Sequence, residues 1–320
     1  MIRTVQAVVP GSTGNLGPGF DLFGLAVDIY VRLTVTVEGT FVMASTAEPE
    51  WVVEWDGEGS GPPAPVPLDR QNLAVCGLES AWSAAGLAFD GRVTVSGSSE
   101  IPVARGLGAS AASLVAGLLA GESLADASLD PERLLELATA EEGHPDNAAP
   151  SIMGGLIAAA PLEGRGVLTH RSRLFEDYLL GAVVPEMNLS TRLAREALPG
   201  EIAHQDAVKN QQRSFFLFHA LVEGHTDELK ELVEDSLHQP YRARLIPCFE
   251  ELMALAWSGG ADAVWLSGSG PTLLVLVEGS VDRVEGICRP LEERWAAEGI
   301  SSRTLVLGPD DLGGAVHDVG

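Results

Sequence analysis

IPVARGLGASAASLVAGLLAG, Ile101 to Gly121, joins two halves of different composition. Pro102 to Gly108 is a turn punctuated by Pro and Gly. The residues after it, Leu114 to Leu119 above all, are apolar nearly all round, so the spacing predicts a helix buried on every side. A helix N-terminus carries about four unpaired N–H groups and roughly half a positive charge. Gly106 and Gly108 allow close approach of the backbone, and Ala109, Ser110, Ala111 and Ala112 add no bulk. Such an end suits a phosphate group; a tight strand-to-helix turn without a ligand is the competing reading. A Walker loop is excluded, because GxxxxGK[ST] needs a lysine and the only two, Lys209 and Lys230, lie far from any Gly-rich turn. A dinucleotide fingerprint after the first strand is also absent.

Two further turns mix Gly with Ser or Thr: PGSTGNLGPGFD, Pro10 to Asp21, and SGSGPT, Ser267 to Thr272. Each lies between predicted strands, VQAVVP and AVDIYVRLTVTVE for the first, ADAVWLSG and PTLLVLVEG for the second. The stretch Glu136 to Gly155 gathers Glu136, Glu141, Glu142, His144, Asp146 and Asn147 at the end of a helix that opens with Asp130 as N-cap and Pro131. Three glutamates on a helix usually make a solvated face. Phosphoryl transfer, however, needs Mg²⁺ held by hard oxygen ligands.

The rest of the chain bounds the problem. Its 320 residues suffice for two domains, and 46% are hydrophobic. Forty-five acidic residues against 20 basic ones give a net charge of −25, which argues against a nucleic-acid partner. Apolar runs are too short and interrupted for a membrane span, and the N-terminus lacks a signal peptide, so a cytoplasmic protein with no membrane partner is expected. Cys76, Cys248 and Cys288 show neither disulfide nor zinc spacing. Glu48 to Asp69, rich in Gly and Pro, reads as a surface hairpin with a flexible loop. RARLIPCFEELMALAWSG reads as one helix, and the tail PDDLGGAVHDVG as poorly ordered.

In order and spacing, PGSTGNLGPGFD, IPVARGLGASAAS and LSGSGPT resemble the three motifs of the GHMP small-molecule kinases. Within them, NLGPGFD with EEGHPDNAAP, STRLAREALP and HQPYRARLIP is similar to the homoserine kinases of threonine biosynthesis. The resemblance runs from Pro10 to about Leu307. It implies an α+β, two-domain fold: a nucleotide-binding domain over 1–160 with a left-handed-type crossover, a ferredoxin-like α/β sandwich over 161–310 on the substrate side, and a tail over 311–320. It implies ATP and Mg²⁺ as cofactors and L-homoserine as substrate; a homodimer is the expected assembly.

Site roles follow from the same resemblance. Asn72 would lie near adenine. Pro102, Val103, Ala104, Arg105, Gly106, Leu107, Gly108, Ala109, Ser110, Ala111 and Ala112 would form the nucleotide loop. Ser110 and Glu136 would hold the metal; Glu136 fits best, Glu141 less well, and the choice among Glu136, Glu141 and Glu142 stays open. Asn15, Asp21, His144, Asp146, Asn147, Arg195, Arg242, Gly268, Ser269 and Gly270 would surround the substrate. Asn15, Ser110, Glu136 and Asn147 would be catalytic. An arginine suits the substrate carboxylate, while Asp21 and Asn15 suit its ammonium.

The chain departs from the family pattern at PGSTGN in the first motif, at Ala109 in place of a first serine, and at Asn147 where related kinases have an aspartate base. An amide cannot accept the proton, so the expectation is catalysis without a side-chain base, a phosphate oxygen receiving the proton. Another GHMP kinase is the competing enzyme reading, weakened because the first motif has no lysine. A non-catalytic binding or regulatory protein of the same fold is the reading from another class.

Overall fold

The computed structural model describes residues 1–43, 47–62 and 64–319. The first half of the chain gives β1 (Ile2–Gly14), β2 (Phe23–Met43), β3 (Glu50–Gly57), α1 (Leu73–Ala84), β4 (Leu87–Ser99), α2 (Ala109–Leu124), α3 (Pro131–Glu142), α4 (Ala148–Met153), β5 (Leu156–Leu162) and β6 (Gly166–Ser172). The second half gives β7 (Tyr178–Pro185), α5 (Thr191–Glu196), α6 (His204–Glu223), α7 (Thr226–Leu232), α8 (Gln239–Arg242), α9 (Phe249–Ser258), β8 (Ala263–Leu266), β9 (Leu273–Glu278), α10 (Val281–Ala297), β10 (Ser302–Leu307) and β11 (Ala315–Asp318).

The first sheet has the order β11-β1-β2-β4-β3, with the β5–β6 hairpin attached to the start of β2. The expected boundary at 160 falls inside β5, and β6, which the sequence reading missed, continues this sheet to Ser172. The tail is corrected: Ala315–Asp318 pairs antiparallel with Val5–Val8, and Asp310 anchors its approach by accepting from the Leu312 and Gly313 N–H groups and the Tyr30 hydroxyl. The surface hairpin over 48–69 is corrected too. Among the described residues β3 pairs only with β4, and in parallel, with α1 as the crossover between them; Pro63 of that stretch lies outside the described residues.

Helix α2 crosses this sheet. Twelve of its 16 residues are buried, with no preferred apolar face. It starts at Gly108, whose φ of 72° ends the preceding turn. In α3, Asp130 caps the helix by accepting from the Arg133 N–H, as its position before Pro131 requires.

The second sheet is antiparallel throughout, in the order β10-β7-β9-β8. A strand, helices, two strands, a helix and a strand in that spatial order make the ferredoxin-like sandwich. One face packs under α9 and α10 through Leu252, Ile287, Leu291 and Trp295. The other face joins the main core through Leu180, Trp265, Leu274 and Leu276. The single helix expected over 242–259 is instead α8, a 3₁₀ turn at Ala243–Leu245 and α9. The break falls at Pro247 and at Cys248, whose φ is +49°. Gly268 to Thr272 connects β8 to β9 and carries that turn back to the first domain.

Candidate active site

The three Gly-rich turns lock into one another. Ser12 N–H donates to the Leu107 carbonyl at 3.1 Å, and Gly268 N–H donates to the Gly14 carbonyl at 3.1 Å. Ser267 Oγ donates to the Gly106 carbonyl at 2.7 Å and bonds Thr13 Oγ1 at 2.9 Å. Asn15 Nδ2 donates to the Gly268 carbonyl at 2.8 Å. Two glycines permit this contact. Gly106 has φ +82°, and a Cβ there would strike the Ser267 carbonyl; a Cβ on Gly108 would strike Ser12 Oγ. The first turn is also shorter than its glycines suggest, because β1 continues through Gly14 and only the residues after it leave the sheet.

The turns wall a cavity of about 450 Å³ with two unlike ends. Trp55, Pro65, Val66, Pro67 and Leu73 line one end, with Pro102 and Val103 beyond them. Asn15, Asp21, His144, Asp146, Asn147, Arg195, Arg242, Gly268 and Ser269 line the other. Gly106, Gly108, Ala109 and Ser110, at the start of α2, line it too. An apolar wall, a helix N-terminus and a charged cluster thus line one cavity.

The carboxylate of this middle region is not the one expected. Glu136 does not line the cavity. Its side chain bonds Arg133 at 2.7 Å and sits against Gly166 at the start of β6. Glu141 is exposed. Glu142 lines the cavity and is hydrogen-bonded to Ser110. Burial raises its pKa, opposed by that hydrogen bond and by the nearby His144. At about 100° per residue, the six positions from 136 to 142 turn the side chain about 240° around α3, which carries it from the β6 side to the cleft.

The nucleotide-loop residues divide as well. Asn72 caps α1 by accepting from the Ala74 N–H, and its Nδ2 donates to the Pro67 carbonyl. It shapes the apolar end through Pro67. Arg105 is buried and folds back onto the Val103 and Ala104 carbonyls and Asn188 Oδ1. Leu107, Ala111 and Ala112 are buried in the core behind the loop, and they do not line the cavity; nor does Gly270.

At the charged end Arg195 holds Asp21 with both terminal nitrogens, at 2.9 and 3.2 Å. The two groups expected to divide a zwitterion between them therefore face each other. Asn15 Oδ1 accepts from the Asp21 N–H and closes the turn. Arg242 is 2% exposed; burial and the neighbouring Arg195 charge pull its pKa down to about 10, so it stays charged at neutral pH. His144 bonds Asp146 through Nδ1. Burial disfavours its charged form, but that bond and the Asp146 charge prevail and raise its pKa. Asn147 accepts from Ser12 Oγ through both its carbonyl and Oδ1 at 3.1 Å.

Sequence reasoning missed Trp55, Val66 and Pro67, and among the three glutamates it left open it favoured Glu136 over Glu142. The Pro-rich run before an Asn N-cap was the available signal for the apolar wall, since prolines make a stiff wall rather than a flexible loop. Nothing in the spacing of the three glutamates singles out Glu142.

Comparison with known proteins identifies the family. The family described as GHMP kinases N terminal domain matches residues 72–155, and GHMP kinases C terminal matches residues 217–289. The homoserine kinase of Moorella thermoacetica is 35% identical over 308 residues, covering 96% of this chain and 98% of that protein. The homoserine kinase of Mycolicibacterium vanbaalenii is 41% identical over 280 residues, covering 85% and 84%. The crystal structure of homoserine kinase from Cytophaga hutchinsonii shares the fold, with a TM-score of 0.85 at 23% identity over 98% of this chain and 97% of that one.

Proposed function

We infer the reaction from kinship and geometry together: the chain belongs to the homoserine kinases of the GHMP kinase family, and we propose that it phosphorylates the side-chain hydroxyl of L-homoserine with ATP. The products are O-phospho-L-homoserine and ADP. The bond from the γ-phosphorus to the β–γ bridging oxygen breaks, and one to the homoserine oxygen forms. The hydroxyl proton goes to a phosphate oxygen.

The observation that carries this reading is that an apolar wall, the N-terminus of α2 and a cluster of charged and amide side chains line one cavity. Trp55, Val66 and Pro67 offer apolar surface for a purine base. The free N–H groups at the start of α2 suit the phosphates. Glu142 and Ser110, oxygen donors already in contact, fit a Mg²⁺ ion, and they would hold it. When bound, Mg²⁺ neutralises charge on the transferring phosphoryl group. Glu142 is half-buried, faces the cavity and has its pKa raised by burial, which suits a carboxylate that meets a cation in use.

Homoserine carries a carboxylate, an ammonium and a hydroxyl. Arg242 takes the carboxylate, assisted by Arg195, and Asp21 with Asn15 takes the ammonium. That pose directs the hydroxyl toward His144, Asp146 and Asn147. Asn147 contributes an amide held rigid by Ser12, which orients without accepting a proton. Positioning and charge stabilisation carry the rate. A cytoplasmic location belongs to the same proposal, supported by three free thiols and by described helices that are each too short or too polar to cross a membrane.

The test is ADP release with Mg-ATP on L-homoserine, mevalonate, L-serine and L-threonine. We expect turnover on L-homoserine above the others. Glu142→Gln should lower kcat by about a hundredfold, whereas Glu136→Gln should stay within about twofold of the parent. Nucleotide binding without turnover on any of the four would refute the kinase reading. A large loss in Glu136→Gln with none in Glu142→Gln would refute the metal assignment.

A further inference from the structure

One buried histidine, His238, joins two parts of the charged chamber without lining it. Its ring is 0% exposed, at the N-terminal boundary of α8 and four residues before Arg242. Nε2 lies 2.8 Å from the Gly17 carbonyl, in the turn that carries Asn15 and Asp21. Nδ1 lies 3.2 Å from Arg242 Nη1. The ring stacks on Phe20 at 5.2 Å and 22°, and the Arg242 guanidinium lies 5.2 Å from the same Phe20 ring.

These contacts leave one protonation state. A guanidinium has donors only, and a peptide carbonyl has lone pairs only. Nδ1 must therefore accept from Arg242, and Nε2 must carry the hydrogen that Gly17 receives. The charged and titratable groups around the ring agree. Asp235, whose side chain is fully buried, lies 3.5 Å from Nε2 and favours a hydrogen there. It is itself fixed by the N–H groups of Leu237, His238 and Gln239. Burial, the largest influence, lowers the pKa of the ring and Arg242 adds to it, outweighing Asp235, the Gly17 carbonyl and Asp21, which favour a second proton.

The rest of Arg242 is equally committed. Nη1 also donates to the Gly268 carbonyl at 2.9 Å, and Nε donates to the Ala194 carbonyl at 3.4 Å. Among the described residues Nη2 has no hydrogen-bond partner, and it is the donor left for a ligand in the cavity that Arg242 lines. Where Nη2 lies is thus set by what Nη1 and Nε hold.

We propose that neutral His238, as its Nε2–H tautomer, is a positioning residue that aligns the Arg242 guanidinium with the Asn15–Asp21 turn, so that one amino-acid zwitterion meets both. It touches neither substrate nor phosphate. The inference rests on the homoserine reading for the identity of that zwitterion, but the tautomer does not depend on it. Removing the Nδ1 acceptor loosens Arg242 and weakens amino-acid binding, while the nucleotide end of the cleft is untouched.

Two measurements decide. The first is two-dimensional ¹H–¹⁵N correlation of histidine ring nitrogens in the parent protein, the His238 ring being assigned through its contact with the Phe20 ring. A lone-pair nitrogen at Nδ1 and a protonated Nε2 support the proposal; a protonated Nδ1 overturns it, whether or not any variant is active. The second compares His238→Gln, whose amide can still donate toward Gly17, with His238→Asn, whose amide oxygen can take the place of Nδ1. The KM for L-homoserine should rise about tenfold in the Gln variant. It should rise less than about threefold in the Asn variant, with kcat and the KM for ATP nearly unchanged in both. A native-like melting temperature with an unchanged homoserine KM in His238→Gln overturns the proposal. If both variants fail to fold, the ring-nitrogen spectrum of the parent decides alone. A parent enzyme inactive on L-homoserine refutes the substrate instead, and leaves that spectrum as the judge of the tautomer.

Discussion

Gly108→Ala probes the interlocking of the turns most directly. Gly108 has φ +72°, where an alanine costs about 1–2 kcal/mol. The new methyl group would also strike Ser12 Oγ, with Ser12 N and O both 3.0 Å away. Relieving that overlap displaces the hydroxyl from Asn147, where it makes two hydrogen bonds of 3.1 Å. One hydroxyl proton serves both acceptors, so the pair together adds about 1–2 kcal/mol rather than twice the value of a full bond. Gly108→Ala should therefore destabilise by about 2–4 kcal/mol. Ser12→Ala alone removes the bonds and should cost about 1–2 kcal/mol. In the double variant the hydroxyl is already gone, so the total should fall short of the sum by about 1–2 kcal/mol. Equilibrium urea unfolding of the four proteins, read as midpoint shifts at constant slope, measures this. Additivity within about 0.5 kcal/mol would refute the contact argument.

Asp21→Asn separates function from stability. Its pair with Arg195 is about one-third exposed on both sides, 39% and 34%, so melting should cost less than about 1 kcal/mol while kcat/KM for homoserine falls about thirtyfold; equal losses in thermal melting and activity would contradict this. Tyr30 is held un-ionised by burial and by its bond to Asp310, which raise its pKa to about 12. Since the folded value lies above the unfolded one of about 10, its contribution to stability is complete below pH about 10 and is lost as the pH rises through about 12. Burial raises the pKa of Tyr178 as well, so spectrophotometric phenol titration of the parent should show late-ionising phenols of which Tyr30→Phe removes one. Ending the chain at Gly314 strips β11 from β1 and should lower stability by about 1–2 kcal/mol; an unchanged melting temperature would mean that this strand contributes nothing.

The sequence was legible where chemistry is local. Left-handed glycines, a capping Asp130 before Pro131 and the uninterrupted apolarity of α2 act within a few residues of themselves, and each element formed where its residues required. The three Gly-rich turns could be named as one site because each carries its own reason for close approach. The parallel pairing of β3 and the pairing of β11 had no such local signature: a short strand carries no mark of its partner, and partners here lie as far apart as Val5 and Asp318.

The residues of the site divide along the same line. Residue types alone determined that Asp21, His144, Asp146, Arg195 and Arg242 suit a charged small molecule, and that Asn147 cannot be a base. Tertiary structure alone decided which glutamate meets Ser110, because helical spacing fixes angles about α3 but not the side on which the cleft lies. It decided that Arg195 faces Asp21, that Arg105 turns inward, and that His238 stands between Gly17 and Arg242. Those pairings join residues up to 221 positions apart, and only packing of the second sheet against the first brings the most distant of them within hydrogen-bonding range.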